Sequence, residues 1–158
     1  MTTKAEFNAE EWERIASGPA IAGLIVVAAQ RGGTIRETIA MAKAYGEERE
    51  HHTAELIGEL ASTPPKVDRK EFSSAEDLRT RGLGKVTEAV SALEAKATPE
   101  EVDAYRAFSL AVAQRAAEAD KSGGFLGVGG ERVSDSENAA LDELASTLGI
   151  ERRPATPE

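Results

Sequence analysis

The chain contains only two imidazoles, His51 and His52, and both sit beside a run of carboxylates. Glu48 and His51 have the E-x-x-H spacing that places a carboxylate and an imidazole on one helical face, as di-iron carboxylate centres require. Such a centre needs a second E-x-x-H from another helix, and no histidine remains to supply one. Glu55, four residues past His51 and three past His52, completes at most a partial divalent-cation face. The plainer reading is a charged, solvated helix surface. No serine stands in a G-x-S-x-G setting, so a nucleophile elbow is excluded. Gly127-Val128-Gly129-Gly130 is glycine-rich, yet no strand pattern precedes it and no Gly-Lys-Ser/Thr follows. Neither nucleotide-binding fingerprint is met. No residue is assigned a catalytic role, and the protein is not expected to be an enzyme.

The most unusual segment runs from Asp120 to Glu137 and reads DKSGGFLGVGGERVSDSE. Its acidic groups, Asp120, Glu131, Asp135 and Glu137, are candidate ligands for a divalent cation, which prefers carboxylate oxygens. The register of an EF-hand fails, because Phe125 would occupy the position that demands glycine and Gly124 offers no side-chain oxygen at the position before it. Two further readings stay open. Phe125 and Leu126 either tuck into the helix interface, with the glycines supplying the turns, or present themselves to a protein partner. No cofactor is implied beyond that cation.

Composition narrows the function classes. The 158 residues are 41% hydrophobic and 30% charged, enough apolar material for one domain with a core. The net charge of −9 argues against a nucleic-acid or anionic-membrane binder, which needs a basic face. A local basic excess lies between Lys66 and Lys85, where six basic residues stand against four acidic ones. Cysteine is absent, which excludes disulfides, thiolate metal sites and Cys nucleophiles. The most apolar run, Pro19 to Ala29, is eleven residues long, short of the roughly 20 that span a bilayer. Met1 to Asn8 lacks the basic and apolar regions of a signal peptide, so the expected compartment is the cytoplasm.

The elements that must position any site read as helices almost throughout. Asn8 caps a first helix carrying Trp12, Ile15 and Ala16. Ser17-Gly18-Pro19 is expected to interrupt it, since proline removes a backbone donor, and a second, wholly apolar helix follows to Gln30. A third runs from Thr34 to about Ala61, with Ile35, Ile39, Ala42, Leu56, Ile57 and Leu60 as its stripe. A fourth starts after Ser73 or Ser74 and reaches about Ala97, with Gly82 and Gly84 as weak points. Thr98, Pro99 and Glu101 form a capping box with proline at the first helical position, opening a fifth helix through Tyr105, Phe108 and Val112. Ser134 and Glu137 make a second box before a last helix that carries Ala140, Leu141, Leu144 and Leu148 and ends at Gly149. The fold class is therefore all-α, a compact single-domain bundle of five or six helices over residues 9–150. Residues 1–8 read as a flexible N-terminus and 151–158 as a disordered tail. The expected core is Trp12, Ile21, Leu24, Ile25, Ile39, Leu93, Val102, Tyr105, Phe108, Val112, Leu141 and Leu144.

From Ala116 onward, Ala119-Asp120 and Val133-Ser134-Asp135-Ser136-Glu137 resemble the helix–loop–helix of the TerB-like tellurite-resistance proteins. In that family one helix ends in Ala-Asp-Gly, and a Ser-x-x-Glu cap opens the next. The likeness spans about 30 residues. Lys121–Arg132 departs from it, standing where the family has a very short turn. The whole chain also resembles uncharacterised small helical proteins of bacteria. The expected function is a non-catalytic interaction or stress-associated module of TerB-like character; the alternative, drawn from the acidic groups flanking the glycine-rich loop 120–137, is a divalent-cation-binding regulatory protein. A protein partner or self-association is open; nucleic acid and a membrane span are not expected.

Overall fold

The computed structural model describes residues 2–29, 35–52, 54–119 and 135–151. Helices occupy 83% of those residues, and no strand occurs among them, as an all-α bundle requires. The helices are α1 (Ala9–Ala29), α2 (Ile35–His51), α3 (Glu55–Ser62), α4 (Ala75–Glu94), α5 (Pro99–Ala119) and α6 (Asp135–Leu148). α1 lies at the centre, flanked by α4 and α5 and touched by α6, while α2 packs on α5 and α3.

The helix ends follow from their sequences. Asn8 accepts from the Glu11 N–H through Oδ1 at 2.9 Å, and Glu11 returns a carboxylate to the Asn8 N–H at the same distance. Ser74 Oγ accepts from the Asp77 N–H at 3.0 Å to cap α4. Thr98 and Glu101 form the expected box at α5, with Pro99 at its first position. α6 closes with two bonds, Gly149 N to Ser146 O and Ile150 N to Ala145 O, around Gly149 at φ 73°. That left-handed residue reverses the chain, and glycine adopts it without strain. Ser134, the expected cap of α6, lies outside the described residues.

Pro19 does not end a helix. α1 continues through it, so the two segments expected there are one 21-residue helix. Proline has no N–H for the Ile15 carbonyl four residues back. The Tyr105 hydroxyl of α5 donates to that carbonyl instead, at 2.7 Å and fully buried. Gly18 makes the approach possible, because a Cβ there would overlap the Tyr105 hydroxyl and press on Ala89. Gly82 is a second close approach: its missing side chain admits Ile21 and Ile25 of α1 to within 3.0–3.1 Å of where a Cβ would stand.

The long helix expected from Thr34 to Ala61 is instead two helices that break after His51. Helical geometry gives the reason. Seventeen residues separate Ile39 from Leu56, which leaves the two about 100° apart on a straight helix, so one face cannot hold both. Leu56, Ile57 and Leu60 of α3 are buried, whereas α2 buries Ala44 and Tyr45 and leaves Ile39 51% exposed. Ile39 is thus removed from the expected core. Nine of the other members are buried, and Trp12 and Leu24 pack half-buried against them.

Residues 2–7 also pack down, in contrast to the flexible terminus expected. The Thr2 N–H reaches Glu101 Oε1 at 2.8 Å, and the Lys4 N–H reaches Glu59 at 2.9 Å. Phe7 is buried beside Trp12, ring centres 6.0 Å apart.

These close approaches separate two glycine substitutions by sign. Gly18→Ala should destabilise by about 1–3 kcal/mol through overpacking at Tyr105. Gly84→Ala, with nothing within 4 Å of the added methyl, should stabilise by about 0.5–1 kcal/mol through better helix propensity. Urea unfolding of both variants checks this, and equal signs would contradict it.

Candidate functional site

Asp120, Phe125, Leu126 and Glu131 lie outside the described residues. Of the remaining candidate ligands, Asp135 and Glu137 share the first turn of α6 but occupy different surroundings. Asp135 is exposed and Glu137 is buried. Two positions on a helix are about 200° apart, which accounts for the separation. Among the described residues no group of three histidine or acidic side chains is arranged to hold a metal ion.

The histidine cluster is taken apart by the break between α2 and α3. Glu48 and His51 remain on α2, but Glu55 opens α3, so the helical spacing from His51 to Glu55 no longer applies. His52 leaves the helix. Its Nδ1 stands 3.3 Å from the Arg49 carbonyl, and its ring lies over Gly58, 2.8 Å from where a Cβ would be. His52 therefore supports the corner between the two helices, against the bare backbone of α3. A depression of about 370 Å³ beside it is lined by Lys4, Arg49, His52, Glu55 and Glu59.

A larger groove, about 450 Å³, runs between α1 and the connection at Pro65–Val67. Its charged lining consists of Glu10, Glu13 and Glu71 with Arg14, Lys66 and Lys85, so acids and bases balance. The basic excess noted in the sequence is partly absorbed nearby. Arg79 makes a two-pronged pair with Glu143 of α6 at 2.6 and 3.0 Å. Arg81 bonds Asp77 and the Glu71 carbonyl, both at 3.0 Å, and covers the Phe72 ring. Arg79–Glu143 links α4 to α6, and exposed pairs of this kind add little stability each.

Because α1 is unbroken, it is the one helix among the described residues long and apolar enough to cross a membrane. Ile21, Ile25, Val26 and Val27 on it are buried inside the bundle. The same pattern is what a central core helix needs.

Three buried groups have shifted protonation with clear causes. Burial pushes the Tyr45 and Tyr105 phenols far above their ordinary range. Glu101 moves the other way. Its burial raises the carboxyl, but the hydrogen bonds from Thr2 and Thr98 together outweigh it and hold the group below its usual value of 4.5. The sequence showed Glu101 as a cap; its second bond, to Thr2, spans 99 positions and leaves no local signal.

A carboxyl lowered in the folded state stabilises above its unfolded pKa and loses that contribution as pH falls through the folded value. Glu101→Gln should therefore cost about 1–2 kcal/mol at pH 7, the range of a lost cap with a charged acceptor. The difference from wild type should shrink as pH drops below the ordinary carboxylate range. Denaturant titrations at pH 7 and in acid measure it, and a difference independent of pH would contradict the assignment.

No family model, curated protein or solved structure matches this chain.

Proposed function

We propose that the protein is a non-catalytic helical interaction module of the bacterial cytoplasm, associated with stress responses, that acts by binding a protein partner. The observation that carries this reading is where its polar side chains are used. Asn8, Ser74, Thr98 and Glu101 close helix ends, Tyr105 completes a backbone carbonyl, and His52 supports a corner. Polar groups so bonded hold the fold and are not free to act on a substrate. The stress-associated part of the reading rests on the TerB-like likeness of residues 116–149. The cytoplasmic part is supported by the burial of the apolar half of α1 inside the bundle.

The surface offers one place to probe. Ile39 is the exposed large hydrophobic among the described residues, and Thr38, Ala42 and Lys43 beside it on α2 are exposed as well. An aliphatic side chain with neighbours three and four positions on presents a helical face to a partner. Ile39→Glu should leave Tm close to wild type, because the side chain contributes little to the core. It should abolish a complex seen for wild type by cross-linking in cells, or lower the mass by light scattering if the partner is a second copy. Unchanged complexes in the variant would contradict this use of α2, and turnover of a substrate by the purified protein would contradict the reading as a whole.

A further inference from the structure

The glycines inside the helices differ in what their bare backbone admits. A Cβ at Gly18, Gly23, Gly58 or Gly82 would stand 3.0 Å or less from Tyr105, Met41, His52 or Ile25, so each makes room for a neighbour in the same chain. Gly46 of α2 does not: nothing lies within 4 Å of where its Cβ would be. Glycine is unfavourable inside a helix, and no packing within the chain offsets that here. Gly84 is as open, but Thr80, Arg81, Thr87 and Glu88 around it are exposed and polar. Gly46 instead shares its face with Ile39, the exposed large hydrophobic.

At about 100° per residue, Ile39, Ala42, Lys43, Gly46 and Glu50 fall within an arc of about 100° on α2, turned away from Ala44 and Tyr45. Ala44 and Tyr45 are buried, whereas Ile39, Ala42, Lys43 and Glu50 are exposed. Lys43 and Glu50 stand on the same flank of this face, and neither has an ion-pair partner among the described residues. Glu47, farther round that flank, is taken by Arg115 of α5. The face is thus apolar and bare along its middle, with one unpaired base and one unpaired acid, seven residues apart, beside it.

We propose that this face binds a second copy of the chain, α2 against α2 in antiparallel order about a two-fold axis, with the helices crossing near Gly46. The proposal rests on the reading of the protein as an interaction module and names the partner. Charge complementarity selects that partner and that order. In a two-fold pair residue i of one copy meets j of the other and j meets i. Antiparallel helices so related bring the same flank of each together, and a crossing at Gly46 sets Lys43 of each copy opposite Glu50 of the other. Two ion pairs form at once from one sequence. Parallel order would set Lys43 against the opposite flank, which carries Ala42 and Arg49 and no acid. The missing side chain of Gly46 lets the two backbones approach, and Ile39 of each copy is covered over the last turn of the other helix. One helical face is a small contact, so the dimer is a weak and reversible one.

Sedimentation equilibrium of the purified full chain tests this, at concentrations up to about 0.5 mM, where a dimer with a micromolar Kd is mostly assembled. Wild type should approach twice the chain mass. Lys43→Glu and Glu50→Lys should each remain monomeric, with Tm and helical circular dichroism unchanged because both side chains are exposed and unpaired. Mixed in equal amounts, the two variants should form a dimer again, since one then carries two acids at these positions and the other two bases. A monomeric wild type at the highest concentration overturns the proposal, as do single variants that dimerise like wild type or a mixture that stays monomeric. Monomeric wild type that is nevertheless cross-linked in cells through Ile39 to a different protein overturns self-association alone and upholds the interaction-module reading. Loss of both the dimer and the cellular complex overturns the two together.

Discussion

The hydrogen bond from the Tyr105 hydroxyl to the Ile15 carbonyl allows a proline to sit inside the central helix of this bundle. Without it, the carbonyl of the fully buried Ile15 would lose that donor. The surrounding residues follow from that requirement. Gly18 must lack a side chain for the phenol to arrive, Ala89 of α4 must be small, and α5 must lie where Tyr105 can reach. α1, α4 and α5 are thus placed by one polar contact and the apolar surfaces around it. Ile15, Val86, Leu93, Val112 and Tyr105, all fully buried, close the core on that frame.

A second set of polar contacts works at the edges. Glu101 takes up two backbone donors, one from the start of its own helix and one from Thr2. Lys96 bonds Glu11 and the Glu6 carbonyl and lies over Phe7, which fastens the same N-terminal segment from the other side. Arg79 with Glu143 ties α4 to α6, and Arg115 with Glu47 ties α5 to α2. The consistent pattern is of side chains whose hydrogen-bonding capacity goes to the architecture. That pattern is what supports the proposed binding role.

The features legible in the sequence were those with a local cause. Asn8, Ser74, the Thr98-Pro99-Glu101 box and Gly149 were readable because a cap is made within four residues of itself. Ile21, Phe108 and Leu144 were readable from helical spacing. What failed depended on distant partners. Pro19 read as a break because its rescuer, Tyr105, lies 86 positions away. Phe7 and Thr2 read as loose because Lys96 and Glu101 are equally remote. Ile39 falls off the buried stripe because positions 39 and 56 stand about 100° apart on a helix and the corner after His51 separates them. The candidate cation and partner loop, Asp120 to Ser134, lies outside the described residues, so of that site only Asp135 and Glu137 are placed.

The central claim is that Tyr105 substitutes for the amide hydrogen that Pro19 lacks, and a double-mutant cycle tests it most directly. Tyr105→Phe should destabilise by about 1–3 kcal/mol, the cost of a buried carbonyl left unpaired. Combining it with Pro19→Ala restores an N–H four residues past Ile15, so the second substitution should recover most of that loss, with a coupling energy of about 1 kcal/mol or more. Pro19→Ala in the wild-type background should change little by comparison, since the carbonyl already has its donor. Equal effects of Pro19→Ala in both backgrounds would contradict the account, because the two residues would then act independently.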